Sequence, residues 1–314
     1  MQDWMHVMAI GIDPLVDFAC KKLLGSPEHT AITLHFLNAI LGGAPRITEV
    51  EILNPIVDKE FEEDKYAILD IRARDKFGRR FNIEIQRTRP AALRERLMYY
   101  AATQIIEQLG EGDNYTKLRP AIGICILDLS LYPKVSDVHL DFRLTNTKHG
   151  LTLTDHLQIH LLELSKYQLP GDNGVVSDPI DQWCYFLLQA NDLTAGEIFA
   201  RLPDPAFVQA TGVLEMIARD PDQRRLYEAR LKAERDAVAK EQYAREQGIE
   251  QGIEQGIEQG IEQGIEQGEH LGRINLLQQL LGDAPSPKSA LKELSIEELA
   301  AIEHDLQRRL RTRN

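Results

Sequence analysis

The chain has 314 residues, of which 43% are hydrophobic, enough for one sizeable domain and additional segments. Its formal net charge of −13, taken alone, argues against a nucleic-acid partner. Residues 246–269, however, hold seven Glu and no Asp, Lys or Arg, which accounts for seven of the 13 excess negative charges. Nine basic residues crowd one short region: Arg72, Arg74, Lys76, Arg79, Arg80, Arg87, Arg89, Arg94 and Arg96. A phosphate backbone would be attracted to that region.

The cysteines and the N-terminal segment indicate the cellular compartment. Cys20, Cys125 and Cys184 lie far apart, with no Cys-x-x-Cys pair and no Cys/His cluster. This spacing argues against a zinc site or a disulfide framework and fits a reducing cytoplasm. Residues 1–14 lack the basic segment and long apolar run of a signal peptide, and no membrane span is visible. We therefore expect a cytoplasmic protein that does not enter a membrane.

The N-terminal part of the chain has the patterns of two helices and one strand. Residues 13–41 have helical spacing, with a break at Gly25-Ser26-Pro27 and a stop at Gly42-Gly43. Residues 47–55 have the pattern of a strand, and the segment 56–64 after it is strongly acidic.

A hairpin, a helix and a buried strand follow. Residues 66–74 and 79–86 alternate apolar and polar side chains around a turn that contains Gly78, which predicts a β-hairpin. A helical pattern begins after Pro90 and stops at Gly110, and residues 120–133 include an apolar run typical of a buried strand. The order α, β, β, β, α, β predicts a mixed central sheet with helices packed on it, in the α/β (α+β) class.

The C-terminal half is mostly helical. Two further strand candidates lie at 138–144 and 157–164, and helical patterns dominate residues 178–240. We divide the chain into a core domain (1–175), a helical region (176–245), a tetrapeptide repeat (246–269) and a C-terminal helical pair (270–314).

The repeat has the unit Glu-Gln-Gly-Ile. On a helix of about 3.6 residues per turn, a four-residue period drifts about 40° per repeat, so the isoleucines form a spiral stripe. Glutamates at i and i+4 repel each other, and each Gly costs about 1 kcal/mol relative to Ala, so an isolated helix is weak. The repeat is therefore either flexible or held by a partner chain through its isoleucines. The second alternative predicts a homo-oligomer through the repeat and the C-terminal helices.

Met216 is the only Met after Met98, and it precedes the repeat. It offers an internal translation start for a regulatory C-terminal fragment. A tail-directed immunoblot of native cells would detect this fragment.

The two hairpin strands each have an apolar and a polar face. The polar side chains are Asp70, Arg72 and Arg74 on the first strand and Arg80, Asn82, Glu84 and Gln86 on the second. A three-residue loop, 76–78, ends at a Gly that tolerates the left-handed conformation. That loop pairs Asp75 with Arg79, so the numbers of paired residues sum to 154. Asp70 then lies directly opposite Glu84.

The carboxylates of Asp70 and Glu84 would repel each other at this distance. Directly opposed side chains have Cβ atoms about 4.5–5.5 Å apart, and like charges at that distance are destabilising. A divalent cation between them removes the repulsion, and hard oxygen ligands suit Mg²⁺ or Mn²⁺. Charged residues on an outer face are also commonly solvated, and Arg72 or Arg74 could pair with both acids; the spacing alone leaves this alternative open.

The hairpin and its neighbours resemble a known family. "DIRARDKFGRRFNIEIQ", preceded by "DFACKKLLG" and "HFLNAILGG" and followed by "RERLMYYAATQI", is similar to the Rpn family of recombination-promoting nucleases, also labelled putative transposases, in the PD-(D/E)XK nuclease superfamily. The resemblance covers roughly residues 11–240. It implies a restriction-endonuclease-like αβββαβ core and Mg²⁺-dependent cleavage of DNA that leaves a 5′-phosphate.

The resemblance also implies site residues. Asp70 and Glu84 match the two metal-binding acids, and the backbone carbonyl of Ile85 would complete the metal's ligands. Asp17 matches the acid on the family's first helix, and Lys21 lies one turn later.

The superfamily motif ends in Lys, where this chain has Gln86. Gln can hold a water or a phosphate oxygen but carries no charge. Either a positive group comes from Lys21, Lys65 or the following arginines, or the site is slow or works through the metal alone. Arg87, Arg89, Arg94 and Arg96 are the candidates for phosphate contact. Tyr99 and Tyr100 could contact nucleic acid, but at least one of them is expected in the core.

Three functions compete. The first is a metal-dependent DNA endonuclease of recombination or mobile elements, in which Asp70 and Glu84 hold the metal, Asp17 assists through water or a second ion, and Gln86 orients water or phosphate. The second is a nuclease-fold module with little or no activity that binds DNA or protein and oligomerises through its tail. The third is a regulator that does not bind nucleic acid.

Overall fold

The computed structural model describes residues 8–43, 45–53, 71–88, 92–171 and 174–312. The chain forms two compact units, Met1–Asp236 and Ala237–Asn314. Within the described ranges, we find no helix with both the length and the apolar character needed to cross a membrane.

The first unit begins with two helices. Helix α1 (Asp17–Leu24) and helix α2 (Thr30–Leu41) are separated by Gly25 and a 3₁₀ turn at Pro27–His29, which confirms the predicted break. A Cβ on Gly25 would lie 2.8 Å from the carbonyl oxygen of Lys21, so a larger residue would clash. Helix α2 ends at Gly42, whose φ of 58° is the left-handed conformation that favours glycine.

The centre of the first unit is a six-stranded sheet in the order β1-β2-β3-β4-β6-β5. Its strands are β1 (Val50–Ile52), β2 (Ile71–Asp75), β3 (Arg80–Gln86), β4 (Ala121–Leu127), β5 (His139–Asn146) and β6 (Leu151–Glu163). The β3–β4 and β4–β6 pairs are parallel and the others antiparallel, so the predicted mixed sheet is confirmed. Strand β4 is buried at every position, which explains its continuous apolar run.

Strand β6 is longer than the sequence predicts. It begins at Leu151, six residues before the predicted start at Leu157, because residues 151–156 pair with β5. Their side chains are largely exposed, so they lack the apolar signal of a core strand. Pairing between strands, not burial, keeps this part extended.

Helices cover both faces of the sheet. Helix α3 (Leu93–Ile106) packs on one face through Leu93 and Leu97, against a small cluster that includes Cys125 and Leu161. The larger core lies on the other face, with α1, α2 and the helices that follow the sheet. Those helices are α4 (Pro179–Gln189), α5 (Ala195–Arg201), α6 (Pro205–Arg219) and the start of α7 (Pro221–Leu281). The helical character predicted for residues 178–240 is confirmed.

The second unit contains the rest of α7, α8 (Lys288–Lys292) and α9 (Ile296–Thr312). Its small core is made by Ile274, Leu291, Leu299 and Leu306. The repeat is helical, and its isoleucines are 54–60% exposed: Ile249, Ile253, Ile257, Ile261 and Ile265.

Candidate active site

The hairpin has the predicted turn and register. Gly78 has a φ of 81°, its N–H donates to the carbonyl of Asp75 at 3.0 Å, and the Asp75 N–H donates to the carbonyl of Arg79 at 3.1 Å. The paired residues are Ile71–Ile83, Arg72–Asn82, Ala73–Phe81 and Arg74–Arg80, whose numbers all sum to 154. Asp70 lies outside the described residues, so its place opposite Glu84 stays a prediction.

Glu84 points away from the main core. Ile83 belongs to that core and Ile85 packs against it, so the residue between them faces the side of the sheet that α3 covers. Glu84 is only 6% exposed. Its Oε1 accepts hydrogen bonds from Gln86 Nε2 at 2.5 Å and from Arg96 Nη2 at 2.9 Å. The structure therefore brings together three of the predicted site residues: Glu84, Gln86 and Arg96.

Arg96 places beside the acid a positive charge, which Gln86 does not carry. It lies 12 residues after Glu84, on the second turn of α3. Its guanidinium also stacks over the ring of Tyr100 at 5.8 Å from the centroid. A charge-assisted hydrogen bond of this kind is stronger than one between neutral groups.

The expectation that Tyr99 or Tyr100 belongs to the core is wrong. The buried positions of α3 are Leu93, Leu97, Ala101 and Gln104. This spacing turns Tyr99 outward, where it is 67% exposed, and leaves Tyr100 half-buried.

Asp17 and Lys21 lie on the other side of the sheet. Together with Cys20, Ile71, Ile83 and Ile85 they line a small cleft. Since Ile83 and Ile85 alternate with Glu84 and Gln86 along β3, the structure separates these two sets of predicted site residues by the thickness of the strand. Burial raises the pKa of Asp17 above its ordinary value, and Arg230 and Lys21 partly oppose that rise.

Glu234, on α7, is an acid that sequence reasoning missed. Its Oε1 accepts the backbone N–H of Asp17 at 3.0 Å, at the start of α1. Burial raises the pKa of Glu234 to about 7, and the hydrogen bond from Asp17 lowers it only in part. The two residues are 217 positions apart in sequence, so no local pattern could connect them.

Arg87 is surrounded by carboxylates. Its Nη1 lies 2.8 Å from Asp13 Oδ2 and 3.6 Å from Glu234 Oε2, and its Nε lies 3.7 Å from Asp128 Oδ2. Arg94 also belongs to the predicted phosphate-binding arginines. Its guanidinium stacks over the ring of Tyr132, 5.3 Å from the centroid. Arg89, the fourth, lies outside the described residues.

Three more arginines share the polar face with Glu84. Arg74 lies directly opposite Arg80, and Arg72 lies opposite Asn82. Arg72 pairs with Glu107, which lies 3.8 Å from Arg80, and Arg74 pairs with Glu51 at 2.7 Å. Burial lowers the pKa of Arg80, and the charges of Arg72 and Arg74 lower it further against the opposing effect of Glu107. This part of the molecule therefore holds four arginines, counting Arg96, among three carboxylates, those of Glu51, Glu84 and Glu107.

The Glu84 carboxylate and the backbone carbonyl of Ile85 are the type of ligand that a divalent cation such as Mg²⁺ binds, since both are hard oxygen atoms. Within the described parts of the chain, no group of three or more His, Cys, Asp or Glu side chains is arranged to hold a metal ion. One of the two Glu84 carboxylate oxygens, Oε1, is engaged by Arg96.

Comparison with known proteins identifies the family. A family model described as "PD-(D/E)XK nuclease family transposase" matches residues 14–244, a stretch that includes α1, the hairpin, α3 and Glu234. Searches of curated proteins and of solved structures found no match. The extent of the family match, together with the mixed sheet and the polar hairpin, shows that this chain belongs to the PD-(D/E)XK nuclease family transposases.

Proposed function

We propose that the chain is a metal-dependent DNA endonuclease that acts in recombination or in mobile elements. The observation that supports this most directly is the hairpin: its register is the predicted one at four pairs, and its polar face carries a buried carboxylate at Glu84. Extended by one pair, this register would put Asp70 opposite that acid.

In this proposal Asp70, Glu84 and the carbonyl of Ile85 hold Mg²⁺, with Mn²⁺ as a substitute. The cation, when bound, would supply Lewis-acid stabilisation of the phosphate and a more acidic water. Gln86 orients water or a phosphate oxygen by hydrogen bonds, and Arg96 contributes the positive charge that Gln86 lacks. Asp17 and Lys21 support the site from the other face of β3.

The arginines of the hairpin face support DNA as the substrate, because phosphate contacts depend on clustered positive charge. Replacing both Arg74 and Arg80 by Gln is expected to weaken binding of any DNA sequence and to reduce the slope of log K against log salt by about 1–2. Fluorescence anisotropy with a labelled duplex, in EDTA between low and moderate salt, measures this slope. Arg143→Gln is the control, since Arg143 is also a strand arginine between two carboxylates, Asp141 and Asp155. An unchanged slope in the double variant would place the DNA elsewhere.

The ion pair between Arg96 and Glu84 favours a second candidate, the nuclease-fold module that binds without cutting. A guanidinium on the acid leaves one less oxygen for a cation. Plasmid nicking in Mg²⁺, Mn²⁺ and Ca²⁺ separates the two functions, because the module retains DNA in all three and cuts it in none.

We also propose that the repeat assembles copies of the chain. Five isoleucines stand exposed on a helix whose glutamates and glycines weaken it when alone. Replacing these isoleucines by Ala removes the apolar stripe while raising helix propensity, so we expect dissociation to monomers. The matched control replaces five glutamines of the same repeat (Gln247, Gln251, Gln255, Gln259 and Gln263) by Ala, which also raises helix propensity, by a smaller amount, and keeps the oligomer.

Light scattering after size exclusion measures the mass of each variant. Equal masses for the isoleucine variant and the wild-type chain would contradict assembly through the stripe. A fragment started at Met216, within α6, would contain the same stripe and could join such an assembly.

A further inference from the structure

A continuous series of contacts leads from the buried acid to the surface of α3. Arg96 binds Glu84 at 2.9 Å and stacks on Tyr100 at 5.8 Å, and the Tyr100 ring meets that of Tyr99 edge to face at 5.9 Å. Tyr99 is 67% exposed, and its neighbour Met98 is 57% exposed. The outer end of this series is therefore an aromatic surface that no core of the described chain covers.

Aromatic rings exposed on a rigid helix beside positive side chains suit nucleobases. Every base has a π face, so a tyrosine ring stacks on it without regard to sequence. Arg94 and Arg96 precede the tyrosines on the same helix, and Arg96 lies against the Tyr100 ring. With Glu95 as the acid between the two arginines, residues 94–96 keep one excess positive charge, which suits a phosphodiester strand.

A paired base cannot use this surface. In a duplex, both faces of a base are stacked on neighbouring bases, so a side chain reaches a face only when the base is unpaired or extruded. The phosphate next to such a base would lie toward Arg96 and Glu84, since these residues adjoin the tyrosines.

We propose that Tyr99 and Tyr100 form a stacking platform for an unpaired base next to the phosphate that is cut, so that the preferred substrate is DNA with unpaired nucleotides at the cleavage point. This inference rests on the proposed nuclease function and specifies its substrate class.

Binding of the full chain to two labelled DNAs tests the platform. One is a fully paired duplex and the other has the same sequence with a short central bubble; both are measured by anisotropy in EDTA, where no cutting occurs. Tyr99→Ala is expected to weaken bubble binding about 5- to 150-fold, the effect of losing one stacked base, and to change duplex binding by less than about twofold. Tyr99→Phe should bind the bubble like the wild-type chain, because the ring and not the hydroxyl makes the contact.

Tyr115→Ala is the matched control, since Tyr115 is 80% exposed and lies beyond the far end of α3. Tyr99 is a surface residue, so the folded state should persist, and circular dichroism checks this. Equal losses on both DNAs, or no loss on the bubble, would overturn the platform. Because the assay needs no metal, its result is independent of whether the chain cuts DNA: a bubble-selective protein without nicking activity would refute the nuclease and leave the platform standing.

Discussion

Glu84→Gln is expected to reduce Mg²⁺-dependent nicking of plasmid DNA by about 100- to 1,000-fold or more, the scale on which a preorganised charge-stabilising group acts. The amide is nearly isosteric with the carboxylate but carries no negative charge, so it is a poor ligand for a hard cation. Arg96 loses its ion partner, yet its side chain is 40% exposed and water can solvate it. The fold should therefore survive, which thermal unfolding can verify. Asp70→Asn is expected to have the same effect.

The control for this experiment is Glu107→Gln. Glu107 is also an acid paired with an arginine of the hairpin, Arg72, but it lies at the far end of α3. The Glu107→Gln variant should nick plasmid DNA at a rate within a few-fold of the wild-type rate. Unchanged nicking in both Glu84→Gln and Asp70→Asn would refute the assignment of the catalytic acids.

Arg96→Ala is expected to separate cation binding from cleavage. The guanidinium and a cation compete for Oε1 of Glu84, so removing Arg96 should tighten Mn²⁺ binding about tenfold, which is the value of one partly solvated charge-assisted hydrogen bond. Cleavage should fall in the same variant, because the site loses its positive charge near the phosphate. Isothermal titration with Mn²⁺ alone measures the first effect, and plasmid nicking measures the second.

Arg96→Lys should recover part of the nicking, since an ammonium restores charge without the planar fork. Arg94→Ala is the neighbouring control: Arg94 stacks on Tyr132 and should leave Mn²⁺ affinity unchanged. If Arg96→Ala binds Mn²⁺ no more tightly than the wild-type chain, the ion pair does not compete with the cation.

The local features of the fold were readable from the sequence because their causes are local. The register of the hairpin follows from a turn that needs Gly78 and from the two-residue period of a strand. The break between α1 and α2 follows from Gly25 and Pro27, and the burial of β4 follows from its unbroken apolar run. The polar face of the hairpin, with Glu84 and Gln86 on it, was therefore predictable before any tertiary contact was known.

Only the tertiary structure decided which side chains meet across elements. Arg96 reaches Glu84 because α3 packs on one face of the sheet, whereas Asp17 and Lys21 lie with α1 on the other. Glu234 joins Asp17 across 217 residues because α7 returns to the start of α1. The length of β6 depends on its pairing with β5. Each of these contacts depends on how separate elements dock, and residue spacing within one element carries no information about that docking.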